Sequence, residues 1–171
     1  SFSFFANKNI TTGEGGMITT DSYKYYKKIM ILRNQGQNYR YNHIDLGYNY
    51  RMTDISASIG LVQLKKFKKT KKNKNLIVKR YNQILKDNKY YRIANLPKYS
   101  HEHSWYNFTL IVYNNKFRNF MASQLKLSGI ETRFSFPPLS RQPFIKKNKN
   151  ILKKDLKNSE EGWKKLINIP I

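Results

Sequence analysis

The residues best suited to chemistry lie near the start of the printed chain, which reads S-F-S-F-F-A-N-K-N-I-T-T-G-E-G-G-M-I-T-T. Lys8 supplies a primary amine, and lysine is the side chain that forms a stable imine with an aldehyde. Burial near other cations lowers the pKa of a lysine amine and prepares it for this reaction. Ser3 precedes it by five residues, and its hydroxyl could donate to a phosphate. The glycines at 13–16 predict a turn that shapes the backbone rather than performs chemistry. The residues alone also fit an exposed lysine beside a turn, so both interpretations stay open.

The composition excludes several classes of protein. A length of 171 residues suits one domain, or one domain with part of another, and 39% hydrophobic residues are enough for a core. No apolar run approaches the ~20 residues of a membrane-spanning helix. The absence of cysteine excludes disulfides, thiolate nucleophiles and cysteine-based metal sites. We predict no metal site, because His43, His101 and His103 lack carboxylates at ligand spacing.

The formal net charge of +23 raises the possibility of a polyanionic partner. The cations are 25 lysines and only 8 arginines, however, and the chain also holds 19 asparagines. Arginine is the residue that binds phosphate and guanine in a bidentate manner, and here it is the minority. Lysine and asparagine enriched together in every segment favour a compositional bias of the surface, so nucleic acid is not the expected partner.

Several elements can be predicted from capping residues and apolar spacing. Residues 16–20 predict a brief buried strand, and Asp21-Ser22 predicts the start of a helix that runs to about residue 32. Residues 34–50 are rich in Asn and Gly and predict an ordered loop. Further elements are predicted along the chain: a long helix from Thr53-Asp54, strands at 106–113 and 131–136, and a helix at 116–128 closed by Gly129.

The segment from Lys65 to Arg80 contains nine basic residues and no acidic one. Like charges at i,i+4 oppose helix formation, so the long helix either persists through this segment or restarts near Ile77. We expect these cations to lie on a solvent-exposed face of the helix. A stripe that binds a membrane surface or RNA would show the same pattern of charges. We place the division between a first part and a small α+β part at about residue 88.

Three blocks of sequence resemble one known family. The first is the lysine segment, which matches the form S-F-x-x-x-K-N-x-x-T-G-E-G-G. The second reads G-Y-N-Y-R-M-T-D-I-S-A-S-I-G-L-V-Q-L, and the third reads G-I-E-T-R-F-S-F-P-P-L-S-R-Q-P-F. In this order and spacing they resemble the DegT/DnrJ/EryC1/StrS family of sugar aminotransferases, which use pyridoxal 5'-phosphate. The resemblance covers essentially the whole chain.

The resemblance implies a role for three residues. Lys8 matches the Schiff-base lysine, which also serves as the acid and base that moves a proton during transamination. Ser3 matches a serine that binds the cofactor phosphate. Asn49 matches an asparagine that reaches the cofactor phosphate of the neighbouring subunit, which implies a homodimer with shared active sites. Arg51 lies beside it in the same motif. The family's usual Thr before the lysine is Asn7 here.

The implied fold is α/β, of the aspartate-aminotransferase type (fold type I). Residues 1–88 correspond to the last part of the large, cofactor-binding domain with a long connecting helix, and residues 89–171 to most of the small α+β domain. Family members are considerably longer. Their N-terminal part supplies the aspartate at the pyridine nitrogen and the ring that stacks on the cofactor. We therefore expect an internal fragment that does not hold the cofactor productively alone.

The implied reaction moves an amino group, typically from glutamate, to a keto group on a nucleotide-linked sugar for polysaccharide or amino-sugar biosynthesis. The expected setting is cytoplasmic. A related dehydratase resembles these enzymes but has His in place of Lys8, so the lysine favours transamination. The alternatives left open are a non-catalytic relative and a basic nucleic-acid-binding protein.

Overall fold

The computed structural model describes residues 1–94, 96–100, 102–147 and 156–171. The chain forms two compact units, Ser1–Thr70 and Lys71–Ile171. The division falls inside one long helix, Asp54–Ile84. The predicted boundary at residue 88 lies just beyond the end of that helix and stays a prediction. His101, expected in a loop, is outside the described residues.

The first unit begins with a hairpin that carries the glycine-rich turn. Strand β1 (Phe2–Ser3) pairs in antiparallel fashion with β2 (Gly16–Met17). The backbone bonds continue past the strands, because the Phe4 amide donates to Gly15 O (2.9 Å) and the Thr12 amide donates to Phe4 O (2.9 Å). The residues between the two strands are therefore held as an ordered loop.

The strand predicted from residue 16 forms, but the prediction that it is buried is wrong for the described structure. The exposed fractions are 52% for Met17 and 56% for Ile18. Apolar composition predicts burial only where another layer packs over the strand, and the described chain covers less than half of the surface of Met17 and Ile18.

Helix α1 (Tyr23–Leu32) begins where the sequence predicts. Ser22 is its N-cap, and the Ser22 hydroxyl accepts a hydrogen bond from the Tyr25 amide (3.4 Å). Lys28 on this helix forms an ion pair with Asp45. The hydrogen bond from Lys28 lowers the pKa of the Asp45 carboxyl, so this carboxylate stays ionised at mildly acidic pH. The pair ties α1 to the segment that follows it.

The segment 34–50 is ordered, as predicted, but it also contains a small hairpin that the sequence analysis missed. Its strands are β3 (Gln37–Tyr39) and β4 (Asn42–His43). Polar residues without alternation give no strand signal here. The Tyr48 amide donates to Leu32 O (2.9 Å), which returns the segment to the end of α1.

Gly36 allows the closest backbone approach in this segment. Its φ is +73°, and an added Cβ would lie 1.7 Å from Asp45 O. We expect Gly36→Ala to destabilise the segment by about 2–5 kcal/mol, from left-handed backbone strain plus overpacking. Faster hydrogen exchange at the Ile44 amide, which donates to Gly36 O (2.9 Å), is the measurement.

Gly129 provides the matched control for this prediction. Its φ is +76°, but an added Cβ would meet nothing within 4 Å. Gly129→Ala therefore costs only the backbone strain, about 1–2 kcal/mol. It should also leave exchange at the Ile44 amide unchanged. Equal costs at Gly36 and Gly129 would contradict the argument from close approach.

Helix α2 (Asp54–Ile84) starts at the predicted cap, since the Thr53 hydroxyl accepts from the Ser56 amide (3.2 Å). It runs without interruption through the basic segment, which resolves the two alternatives left by the sequence. The structure thus gives a single helix of 31 residues. Tertiary contacts explain its persistence.

Those contacts fall on the second half of the helix. Val78 is buried in the core of the second unit. Lys71 forms an ion pair with Glu102, and Lys74 Nζ donates to Trp105 O (3.0 Å). Burial lowers the pKa of the Lys74 amine. Apolar packing and these pairings offset the repulsion between neighbouring cations.

The second unit is built on a four-stranded antiparallel sheet with the order β5-β6-β8-β7. Its strands are β5 (Tyr91–Ile93), β6 (Phe108–Val112), β7 (Arg133–Phe134) and β8 (Leu166–Ile169). The strands predicted at 106–113 and 131–136 correspond to β6 and β7, which are both shorter. β5 and β8 were not predicted.

Helix α3 (Asn115–Leu127) matches the helix predicted over 116–128. Asn114 caps it by accepting from the Lys116 amide (2.8 Å), and Gly129 follows its end. Two short helices, α4 (Pro143–Lys147) and α5 (Lys157–Gly162), lie between β7 and β8 in the chain.

The core of the second unit follows from alternation along the central strand. Phe108, Leu110 and Val112 point to one face of the sheet and are buried. Val78 of α2 and Ile167 of β8 complete the same cluster.

Arg118 is a buried cation of this unit, the one such side chain among the residues that the structure describes there. Its guanidinium donates to Trp163 O (3.1 Å) and to Asn119 Oδ1 (3.1 Å), and it lies 4.1 Å from the centre of the Phe134 ring. Burial lowers the pKa of the Arg118 guanidinium. These contacts join α3 to β7 and to the residues before β8.

Candidate functional site

Lys8 lies in the loop between β1 and β2 of the first hairpin. Its side chain is half-buried, and its backbone amide donates to Phe5 O (2.9 Å), which closes a turn. Ser3 lies in β1 and is exposed, and its hydroxyl accepts a long hydrogen bond from the Phe5 amide (3.4 Å). One hairpin therefore carries both the predicted amine and the predicted phosphate-binding hydroxyl.

Thr12 anchors this loop, although the sequence analysis did not single it out. It is 4% exposed, and its hydroxyl donates to Glu14 O (2.7 Å). A Cβ on Gly15 would lie 2.6 Å from Thr12 Oγ1 and 2.8 Å from Met52 Cε, and a Cβ on Gly60 would lie 2.9 Å from Thr12 Cγ2. The first and second sequence blocks therefore pack against each other at Thr12. Its place in the T-G-E-G-G motif was the available signal.

Asn49 lies on a different segment, beside the end of α1. The Tyr50 amide donates to Arg33 O (2.9 Å), so the backbone here is fixed. The rings of Tyr48 and Tyr50 stack at 5.2 Å between centroids. Because side chains alternate in extended backbone, Asn49 lies on the side opposite these rings. Its side chain is exposed and accepts from Arg51 Nε (3.2 Å).

The donor groups of this unit suit an aldehyde that carries a phosphate. Lys8 offers an amine, Ser3 a hydroxyl and Asn49 a carboxamide. The unit Ser1–Thr70 holds 11 Lys and Arg against 4 Asp and Glu, which favours the approach of an anion. The residues present thus fit the phosphate and carbonyl ends of pyridoxal phosphate.

The described residues contain neither a cluster of metal-ligating side chains nor a membrane-spanning helix. In residues 1–94, 96–100, 102–147 and 156–171, no group of three His, Asp or Glu side chains is placed to hold a metal ion. Across the same residues, no helix is both long enough and apolar enough to cross a membrane.

Comparison with known sequences identifies close relatives of the chain. It is 37% identical over its whole length to the uncharacterized protein MJ1066 of Methanocaldococcus jannaschii, of which the match covers 48%. It is 34% identical over 99% of its length to the GDP-perosamine synthase of Escherichia coli O157:H7, of which the match covers 45%. The chain therefore spans about half the length of the curated relatives it matches.

Comparison with solved structures confirms the predicted fold class. The putative sugar aminotransferase Spr1654 of Streptococcus pneumoniae, solved in PLP and PMP forms, matches 99% of this chain at 28% identity with a TM-score of 0.80. The match covers 45% of that protein. The chain thus has the architecture of part of a fold type I PLP-dependent sugar aminotransferase.

The match to a family model extends over the whole chain. The model of the DegT/DnrJ/EryC1/StrS aminotransferase family matches residues 1–171, so all three sequence blocks fall inside it. The predicted resemblance is confirmed: the chain belongs to the DegT/DnrJ/EryC1/StrS aminotransferase family.

Proposed function

We propose that the complete protein is a PLP-dependent sugar aminotransferase. By the complete protein we mean this chain together with the part that corresponds to the unmatched half of its relatives. The amino group of glutamate replaces the keto oxygen of a nucleotide-linked sugar, and glutamate becomes 2-oxoglutarate. The proposal is supported by the chain's membership of the family and by the single hairpin that carries Lys8 and Ser3, the two residues that the motif resemblance matches to the family's lysine and serine.

Lys8 has two tasks in this proposal. Its amine would hold the cofactor by condensing with the aldehyde and losing water, and the same amine, once displaced by the substrate's amino group, would move a proton at the substrate carbon. Pyridoxal phosphate, when bound, supplies an electron-withdrawing ring that stabilises negative charge at that carbon. The half-buried position of Lys8 limits the number of orientations its amine can adopt. The ordered turn at Phe5 fixes the start of its side chain.

Ser3 and Asn49 bind phosphate in this proposal. The Ser3 hydroxyl is exposed in β1 and donates to a phosphate oxygen near Lys8. Asn49 donates from its carboxamide to the phosphate in a second subunit, which makes the complete protein a homodimer with shared active sites. The fixed backbone on both sides of Asn49 supports a role in reaching across an interface.

The relatives support a nucleotide-linked substrate. The GDP-perosamine synthases of Escherichia coli and Caulobacter vibrioides are 34% and 37% identical to this chain over the matched residues. We therefore propose a GDP-linked keto-sugar as the first compound to test, in a cytoplasmic route to polysaccharide or amino-sugar products. Lys8 rather than His at this position favours transamination over the related dehydration.

The test is an assay of the complete protein with pyridoxal phosphate, glutamate and a GDP-linked keto-sugar. We expect 2-oxoglutarate and an amino-sugar to form in equal amounts, measured by mass spectrometry. The 171-residue chain alone should give neither product. Turnover by the chain alone would refute the proposed dependence on the other half.

The alternative of a non-catalytic or nucleic-acid-binding protein rests on the net charge of +23. It predicts tight binding to DNA or RNA that weakens steeply as salt is raised. A gel-shift series at increasing salt tests it. Absence of amino transfer by the complete protein together with such binding would favour this alternative.

A further inference from the structure

A cleft of about 850 Å³ lies in the second unit, between α3 and the residues that lead into β7. We call it the α3 cleft. A cavity of this volume is large enough for a small organic ligand. Its wall contains charged, polar and apolar side chains, among them Arg118, Asn119, Ser123, Lys126, Glu131 and Phe134. These side chains decide which ligand chemistry the cleft suits.

Arg118 is a buried cation in the wall of the cleft, and no ion pair of the described residues includes it. Both acceptors of its hydrogen bonds, Trp163 O and Asn119 Oδ1, are neutral. The centre of the Phe134 ring, 4.1 Å from the guanidinium carbon, adds only the attraction of an aromatic face. Buried charges in proteins are normally paired with an opposite charge. An anion in the cleft would provide that partner.

The guanidinium also has donors to spare. It carries five N–H groups, of which Nε and Nη2 each donate once to Asn119 Oδ1 and Nη1 donates once to Trp163 O. One N–H therefore remains on each of the two terminal nitrogens of Arg118. Two such donors match the two oxygens of a carboxylate, which is the pairing that arginine makes most strongly.

The charges of the cleft favour an anion with a single negative charge. Lys126, in the last turn of α3, adds a second cation to Arg118, and Glu131 adds one carboxylate. The sum leaves one positive charge to be balanced. A carboxylate carries one negative charge at neutral pH, whereas a phosphate monoester carries about 1.5 to 2. The cleft is therefore better matched to a carboxylate.

The rest of the wall suits a body rich in hydroxyl groups. The Ser123 hydroxyl donates to Asn119 O (2.9 Å), so its oxygen is left to accept from a ligand, and Glu131 is a second acceptor. Ile130 and Phe134 are 41% and 47% exposed and present apolar surface in the same cleft. A sugar ring has hydroxyl donors at its edge and C–H groups on its faces, so it is complementary to both kinds of surface.

We propose that the α3 cleft binds a carbohydrate acid. Arg118 and Lys126 bind its carboxylate, and Glu131 and Ser123 accept hydrogen bonds from its hydroxyl groups. All four residues belong to the second unit, whereas Lys8, Ser3 and Asn49 belong to the first. The inference rests on the geometry of the cleft and does not depend on the proposed amino transfer.

The experiment measures the Kd of the complete protein for three sugars by saturation-transfer NMR. Glucuronate, glucose and glucose 6-phosphate have the same ring and differ at the sixth carbon. We expect glucuronate to bind at least about tenfold more tightly than glucose, because only its carboxylate makes charged hydrogen bonds with Arg118. Glucose 6-phosphate should bind more weakly than glucuronate, because part of its charge is left unbalanced.

Substitutions in α3 test the location of the site. Lys126→Ala should weaken glucuronate binding at least about threefold, because it removes one of two cations near the carboxylate. The matched control is Lys116→Ala, since Lys116 is exposed on the same helix but is not in the wall of the cleft. This control should leave the Kd unchanged.

Arg118→Lys tests the donor geometry. It keeps the positive charge but loses the planar pair of N–H groups, so glucuronate binding should weaken at least about tenfold. Arg118 is buried, and loss of the fold in this variant would be seen by circular dichroism. The exposed Lys126 then decides the outcome, because its replacement removes no buried contact.

Four results would overturn the proposal. Equal affinities for glucuronate and glucose would exclude a carboxylate site. Tighter binding of glucose 6-phosphate would assign the cleft to phosphate. Equal effects of Lys126→Ala and Lys116→Ala would place the ligand elsewhere. Loss of glucuronate binding in Lys8→Ala would assign it to the proposed amino-transfer site, and we expect that variant to bind normally. Failure here is therefore distinguishable from failure of the proposed reaction.

Discussion

Replacing Lys8 with alanine is expected to lower kcat of the complete protein for amino transfer by at least about 10³-fold, because the variant lacks the proposed acid and base. It also lacks the amine that attaches the cofactor covalently. Borohydride should therefore fix pyridoxal phosphate on the peptide that contains residue 8 in the unsubstituted protein, and not in the variant. Mass spectrometry of the digested protein measures this directly.

Lys24→Ala is the control for this prediction. Lys24 lies on α1 and is exposed. Its replacement by alanine removes an amine of the same kind from the same unit. We expect kcat and covalent trapping to be unchanged in this variant. Retained amino transfer by the Lys8→Ala protein would contradict the assignment of Lys8. Trapping at a different lysine would contradict it as well.

Replacing Phe108 with alanine is expected to destabilise the second unit by about 3–5 kcal/mol, as for other buried phenylalanines. Phe108 is 1% exposed, and its ring lies 5.0 Å from that of Tyr81 and 6.1 Å from that of Trp105. A loss of this size is a large fraction of the stability of an ordinary domain. Urea denaturation of the 171-residue chain, followed by tryptophan fluorescence, measures it.

Phe136 is the matched control for Phe108. It belongs to the same unit but is 91% exposed. Phe136→Ala should change the free energy of unfolding by no more than about 0.5 kcal/mol. Similar losses for the two variants would show that the core is not where the structure places it.

Local signals in the sequence were sufficient for the helices with clear caps. Ser22, Thr53 and Asn114 accept bonds from amides in the first turn, and such caps depend only on neighbouring residues. The same holds for Gly129 at the end of α3, where a positive φ favours glycine. These boundaries were therefore predictable without knowledge of the rest of the chain.

The sheet of the second unit was less predictable because its pairing is remote in sequence. Thr109 bonds to Asn168 through their side chains (2.7 Å), although 59 residues separate them. β8 has four residues and β5 has three, which is too short for a clear alternation. The partner strand, rather than the local sequence, selects the extended conformation here.

The candidate site also combines features that the sequence predicts with features that depend on the fold. The resemblance alone gave expected roles to Lys8, Ser3 and Asn49, because it compares residue types at fixed spacing. Thr12 belongs to the same motif, but its packing role follows only from its burial between the glycine-rich turn and α2. Close packing of that kind is a property of atoms brought together by the fold.

The sequence by itself determined the family, because three motifs occur in the family's order along the chain. It also determined the helices that begin at capped positions, because a cap depends only on neighbouring residues. Only the tertiary structure decided that α2 continues through nine cations, because contacts with Glu102 and Trp105 and the burial of Val78 support it. Only the structure showed that the predicted strand at residue 16 is exposed. Burial depends on what packs against a surface, and that is a property of the whole fold.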